Sequence, residues 1–181
     1  MRAIQCWIAL GLLIITAGCT VRSLYPLYSE GDLVFEPRLQ GTWGEKDSKD
    51  TWTFRQAGAK VYEVIARDSS GETRFEGHLL KLGSLWFLDV CPKGVDEAVA
   101  IPAHLFTQLR LEGDTLHVAL LSWDWLRDTL ARDPRAVAHL PLPGGDSESF
   151  VLTAAPKELQ KFVSRYAADP RAFPWSELRR Q

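Results

Sequence analysis

From Leu39 onward, short segments rich in β-branched and aromatic residues are separated by Gly, Asp and Ser. In Thr51-Trp52-Thr53-Phe54-Arg55 the even positions are aromatic, and Leu109-Arg110-Leu111 keeps the same period of two, so these strands bury one face each. Leu85-Trp86-Phe87-Leu88 departs from that period by being apolar throughout. It predicts either a central strand covered on its second side or the wall of something deeper. Strands are expected over 39–45, 50–56, 60–67, 72–82, 84–91, 103–111, 114–121 and, after a gap, 150–153. Ala57-Gly58, Ser69-Ser70-Gly71, Leu82-Gly83 and Gly113-Asp114 punctuate them, and such short connections favour antiparallel hairpins. The fold class read from this pattern is mainly β, an antiparallel meander of about eight strands.

Two stretches carry the helical period instead. Residues 122–132 begin at Ser122 or Asp124 as N-cap, place Trp123, Leu126 and Leu130 three and four apart, and stop at Pro134. From Pro156, which suits a first helical position, Leu159, Phe162, Val163 and Tyr166 form an apolar stripe ending at Asp169-Pro170. This second, C-terminal amphipathic helix is expected to pack against the sheet. In the tail from Pro170, Phe173 and Trp175 are expected to dock on the body, with disorder from Arg179. Pro141-Leu142-Pro143-Gly144-Gly145-Asp146 reads as a loop.

The first nineteen residues have a different grammar. Arg2 and the amino terminus supply positive charge, thirteen uncharged residues run from Cys6 to Gly18, and Ala17-Gly18 is a small pair. That is the anatomy of a signal peptide, and a bilayer-spanning helix needs about 20 apolar residues, which this run does not reach by itself. Ile15-Thr16-Ala17-Gly18-Cys19 resembles the lipobox of bacterial lipoproteins. The resemblance implies cleavage before Cys19, lipidation of Cys19 and an envelope location. In that family an aspartate after the cysteine favours the inner membrane; Thr20 here implies the outer membrane, facing the periplasm. Acyl chains hold a domain on a membrane by about 0.8 kcal/mol for each buried methylene.

The division expected is a signal peptide over 1–18, a lipidated tether and strap over 19–38, and a single β-rich domain over 39–181. Tyr25-Pro26-Leu27-Tyr28 is too apolar for a free linker and reads as a strap laid over a core edge. Without the leader 163 residues remain, enough to bury one sizeable core. The leader holds one of the 21 basic residues and none of the 23 acidic ones, leaving a formal charge of −3. No cluster of Lys and Arg interrupts that balance, which argues against nucleic acid as the main partner. With Cys6 removed and Cys19 acylated, Cys91 stands alone at the end of an apolar strand. No internal disulfide is available, and the favoured reading is a buried small hydrophobe rather than a reactive thiol.

Gly41-Thr42-Trp43, preceded by the strap, resembles the Gly-x-Trp signature that opens the first strand of lipocalins and related calycins. The resemblance implies an eight-stranded up-and-down barrel whose closed end is plugged by Trp43. No residue is assigned to the arginine that covers this tryptophan in that family. A closed eight-stranded barrel holds side chains or one small ligand, so Trp43, Trp52, Phe54, Trp86 and Phe106 are the candidate ligand-binding residues. Against that stands the filling of an ordinary core by large aromatics. Trp123 and Trp125 cannot both face inward on one helix, so either one ring is exposed at the surface or both pack at a strand-to-helix corner.

Chemistry of other kinds finds little footing. His78, His104, His117 and His139 are isolated, there is no His-x-x-x-His, Cys-x-x-Cys or Gly-x-Ser-x-Gly pattern, and no phosphate loop. Asp96-Glu97 reads as a solvated turn. Neither a catalytic set, a metal nor a cofactor is implied. Two non-catalytic functions are expected first, binding of a small apolar molecule or lipid in the barrel, or contact of a filled barrel's surface with another envelope protein or the cell wall; an enzyme comes third, for lack of any motif.

Overall fold

A computed structural model describes residues 20–94, 103–142 and 149–181. The leader with Cys19, Asp96-Glu97 and part of the 141–146 loop lie outside the described residues.

The strands are β1 (Gly41–Gly44), β2 (Thr51–Gln56), β3 (Tyr62–Asp68), β4 (Gly71–Leu82), β5 (Leu85–Pro92), β6 (Leu105–Glu112), β7 (Thr115–Leu120), β8 (His139–Pro141), β9 (Phe150–Leu152) and β10 (Trp175–Arg180). Two helices, α1 (Trp123–Arg132) and α2 (Pro156–Tyr166), interrupt the series. Strands β1 to β7 pair in sequence order, and β10 pairs with both β7 and β1, closing an eight-stranded antiparallel barrel. Both helices and the β8–β9 ribbon stand between β7 and the closing strand, as an insertion in the barrel order.

The expected strand count is thus met by different strands. Residues 150–153 read as one more member of the meander, yet β9 pairs only with β8 in a separate two-stranded sheet. The eighth barrel strand comes instead from the tail, where docking and then disorder were expected. In β10 the inward positions are Ser176, Leu178 and Arg180, of which only Leu178 is aliphatic, so alternation is barely visible. Its register against β7, from Trp175 opposite Ala119 to Arg179 opposite Thr115, makes it a strand.

The helices form where capping and stripe predict. Ser122 Oγ accepts from the Trp125 amide, and Pro156 stands in the first turn of α2, which buries Leu159, Phe162 and Val163. Two cores result. One fills the barrel with Trp43, Phe54, Tyr62, Phe75, Leu79 and Leu88. The other lies outside the wall, where Leu80, Phe87, Phe106 and Ala119 meet Leu126, Leu159, Val163 and Phe173. Leu85-Trp86-Phe87-Leu88 is apolar on both faces for that reason: Leu88 points into the barrel and Phe87 into the helical layer, ring against Phe173.

The strap over 20–36 runs along the outer wall from one end of the barrel to the other. Ser23 exchanges backbone hydrogen bonds with His104, and Leu24 and Arg22 bond Leu152. Leu33 bridges Leu80, the Val34 amide donates to Leu79, and the Glu36 amide donates to the Tyr62 hydroxyl at 2.7 Å. Gln160 of α2 clamps it from above, donating to the Leu27 carbonyl and to Asp32.

Candidate functional site

The end of the barrel where β1 begins is sealed by backbone geometry and one tryptophan. A 3-10 turn, Pro37–Leu39, leads into β1, and the Trp43 indole N–H donates to the Leu39 carbonyl at 2.8 Å. Trp43 is fully buried, and the Arg180 guanidinium lies over its ring, 4.3 Å from the centroid. Arg180 also donates to the carbonyls of Gln40 (2.8 Å) and Arg38 (2.6 Å) and pairs with Asp114. The covering arginine left unassigned by the sequence is therefore Arg180. Gly41 is required beneath it: its φ is +124°, and an added Cβ would stand 2.5 Å from the Arg180 Nη1.

Four of the five candidate ligand-binding residues share the lumen. Trp43, Trp52 and Phe54 belong to its packed cluster, and Trp86 borders it. Phe106 does not, because β6 turns Leu105, Thr107 and Leu109 inward and leaves Phe106 on the outer wall beneath the insertion. A one-residue offset in a strand reverses the face.

Little space remains inside. Around Trp52 and Phe54, between Glu45, Thr107, Leu109 and Leu178, there is a cavity of about 20 Å³. A second, of about 10 Å³, lies at the mouth opposite Trp43, touching Thr20, Trp52, Val90 and Leu120. A water molecule needs about 10–15 Å³ measured in this way, so each of these two cavities is about the size of one water. The Glu45 carboxyl at this mouth is raised above the usual carboxylate range by burial, with the Asp50 charge adding to it.

The paired tryptophans of the first helix resolve as a packed corner. Trp123 stacks on Phe150 with centroids 4.2 Å apart, and Trp125 packs edge-on against Tyr166 at 4.8 Å. The large exposed apolar side chains among the described residues are Tyr25, Leu140 and Leu142.

Polar chemistry gathers on the outer wall under the strap, which sequence reasoning did not anticipate. Asp89, only 1% exposed, accepts from the Leu27 amide at 2.6 Å and meets His104 Nδ1 at 2.7 Å through its other oxygen. Tyr28 stacks on His78 at 4.4 Å. Glu76 and Cys91 face each other one step along the ladder. The signal was present: Asp89 and His104 both interrupt apolar strand segments, but they are fifteen residues apart, and only the β5–β6 pairing shows that they meet.

This cluster clasps the strap to the barrel wall. Burial pushes the Cys91 thiol up, and the charges of Asp89 and Glu76 push it further, so the thiolate nucleophile is suppressed. Cys91 is half-buried, less enclosed than the small core hydrophobe expected of it. Burial likewise raises the Tyr28 hydroxyl, with Asp89 and Glu76 contributing. His117 sits apart beneath Trp175, and His139 packs on Phe150. Among the described residues no group of His, Cys, Asp and Glu is arranged to hold a metal ion, and no helix is long and apolar enough to cross a membrane.

The class defined by this geometry is a closed, eight-stranded, lipocalin-like up-and-down barrel with a helical insertion on its outer wall. Comparison with known protein families, with curated proteins and with solved structures gave no match.

Proposed function

We propose that the chain is a lipid-anchored envelope protein, cleaved before Cys19 and held at the outer membrane by acyl chains on that residue. Its barrel is a filled scaffold, and its work is done by its outer surface, through contact with another envelope protein. The leader and the string Ile15-Thr16-Ala17-Gly18-Cys19 support the anchor. The observation that carries the surface reading is the lumen: the cavity around Trp52 and Phe54 measures about 20 Å³, far below the hundreds of Å³ that a bound organic molecule occupies.

The test is native mass spectrometry of the full chain expressed in a bacterium with two membranes and purified from the membrane fraction. The expected spectrum shows a chain beginning at Cys19, carrying covalent acyl chains and no second lipid. A stoichiometric apolar molecule that leaves on denaturation would return the function to the lumen and to Trp52 and Phe54. An unacylated chain, or a Cys19→Ala variant with unchanged processing and membrane association, would remove the anchor.

A further inference from the structure

We infer that the anchored barrel is not free to tumble on its tether but stands mouth-down, with the exposed edge of the β8–β9 ribbon resting on the lipid headgroups. The inference rests on the lipid-anchor reading above. It follows from where Thr20, the neighbour of the anchored residue, sits on the barrel.

Thr20, one peptide unit after Cys19, bridges Ser122 and lines the small cavity at the barrel mouth. Three residues later Ser23 is held from both sides, by hydrogen bonds of 2.9 and 2.8 Å with His104 and by a parallel bridge to Leu152. Consecutive Cα atoms are about 3.8 Å apart, so the acylated residue lies within a few ångströms of the mouth. No linker separates membrane and domain. Whatever surface surrounds Thr20 must therefore approach the headgroups.

That surface carries two of the three large exposed apolar side chains. The strap runs parallel to β9 with Ser23 beside Leu152, and where the β8–β9 ribbon ends the Leu142 amide donates to the Ser149 carbonyl. Neighbouring strands lie about 4.8 Å apart, which puts β8 about 10 Å from the strap across β9. Leu140 is 56% exposed and Leu142 39%. Exposed leucines beside an anchor point suit the boundary between headgroups and acyl chains, where apolar side chains sink about 5–10 Å. Tyr25, the third such residue, lies further along the strap towards the barrel's side. At the far end of β7, the Gly113-Asp114 turn and the Trp43–Arg180 plug then face away from the membrane.

The experiment uses the full chain, processed and acylated, with Cys91→Ser to leave one labelling site. Leu142→Cys and, separately, Asp114→Cys are labelled with nitrobenzoxadiazole and reconstituted into phosphatidylethanolamine–phosphatidylglycerol vesicles containing nitroxide-labelled phosphatidylcholine. Quenching several-fold stronger at position 142 than at 114 is expected. Equal quenching at the two sites, on chains whose mass confirms acylation, overturns the orientation and leaves the anchor standing. Absence of acyl groups in the same mass measurement overturns both. Burial of position 142 that appears without vesicles and grows with protein concentration would give that edge to a second copy of the chain and also overturn the inference.

Discussion

The two cores of this protein bury the same kinds of side chain under opposite constraints. Inside the barrel, Phe54, Tyr62, Phe75 and Trp43 are enclosed by a ring of eight strands whose radius is set by strand number and stagger. Outside, Phe87 and Phe106 are covered by α1, α2 and the strap, elements joined to the wall by side chains and a few bridges. A closed ring cannot shrink to follow a lost side chain; a docked helix can. The inner core is also almost wholly apolar, whereas the outer one surrounds a buried carboxylate. The inner core therefore sets shape, and the outer one sets where the strap and insertion sit.

The sharpest way to break that comparison is a matched truncation. Phe54 and Phe87 are both essentially inaccessible, and each change to Ala should cost about 3–5 kcal/mol in urea unfolding, the spread depending on how far the site collapses. Phe54→Ala is expected at the upper end and, because its cavity stays open, should acquire binding of benzene or xenon. Phe87→Ala should lie at the lower end and bind neither. Equal costs with no binding by either variant would mean that the barrel wall relaxes as freely as the helical layer.

Next in size is the clasp. Asp89→Ala leaves the Leu27 amide and His104 without their buried partner, a loss of about 3 kcal/mol. It should also raise hydrogen exchange at the Leu27 amide while the β2–β3 amides keep their protection relative to the new global stability. Uniform loss of protection would show the strap to be part of one cooperative unit with the barrel.

Tyr62 tests the seam between strap and barrel by pH. Burial pushes its hydroxyl up to about 12, from an ordinary value of 10. The folded state thus keeps a proton that the unfolded chain releases above pH 10. The associated stability is fully present below pH 10 and is lost as pH rises towards 12, about 2–3 kcal/mol in all. Tyr62→Phe should flatten that limb of the stability profile, with the unfolding midpoint followed between pH 9 and 12. The smallest effect expected is at the plug: Arg180→Ala removes the cation over Trp43 and two hydrogen bonds from a part-exposed site. It should cost about 1–2 kcal/mol and alter the near-ultraviolet circular dichroism of Trp43, without opening the lumen.

Several of these features were legible in the residues. The period of two in 51–55, the turn pairs, and the apolar run at Leu85-Trp86-Phe87-Leu88 specify strands and their covered faces through local sterics and burial alone. The Ser122 cap and the α2 stripe act within a turn or two of chain, so they too read directly. The inner residues Trp52 and Phe54 follow from the alternation, and Trp43 from the Gly-x-Trp resemblance. Phe106 was assigned inward because an aromatic beside Leu105 and Thr107 gives no cue to its side of the wall; the β5–β6 pairing decides it.

What the sequence by itself determined is strands β1 to β7 and both helices, because each depends on residues close together in the chain. Tertiary structure alone decided which strand closes the barrel, which arginine covers Trp43, and where Asp89 finds His104. Those choices join residues as far apart as Arg180 and Gln40. Their physical origin is the ring itself: once seven strands have curled, β1 and β7 each present an unpaired edge. Burial of Leu178 and a ladder of backbone hydrogen bonds on both sides bring the weakly patterned tail in between them.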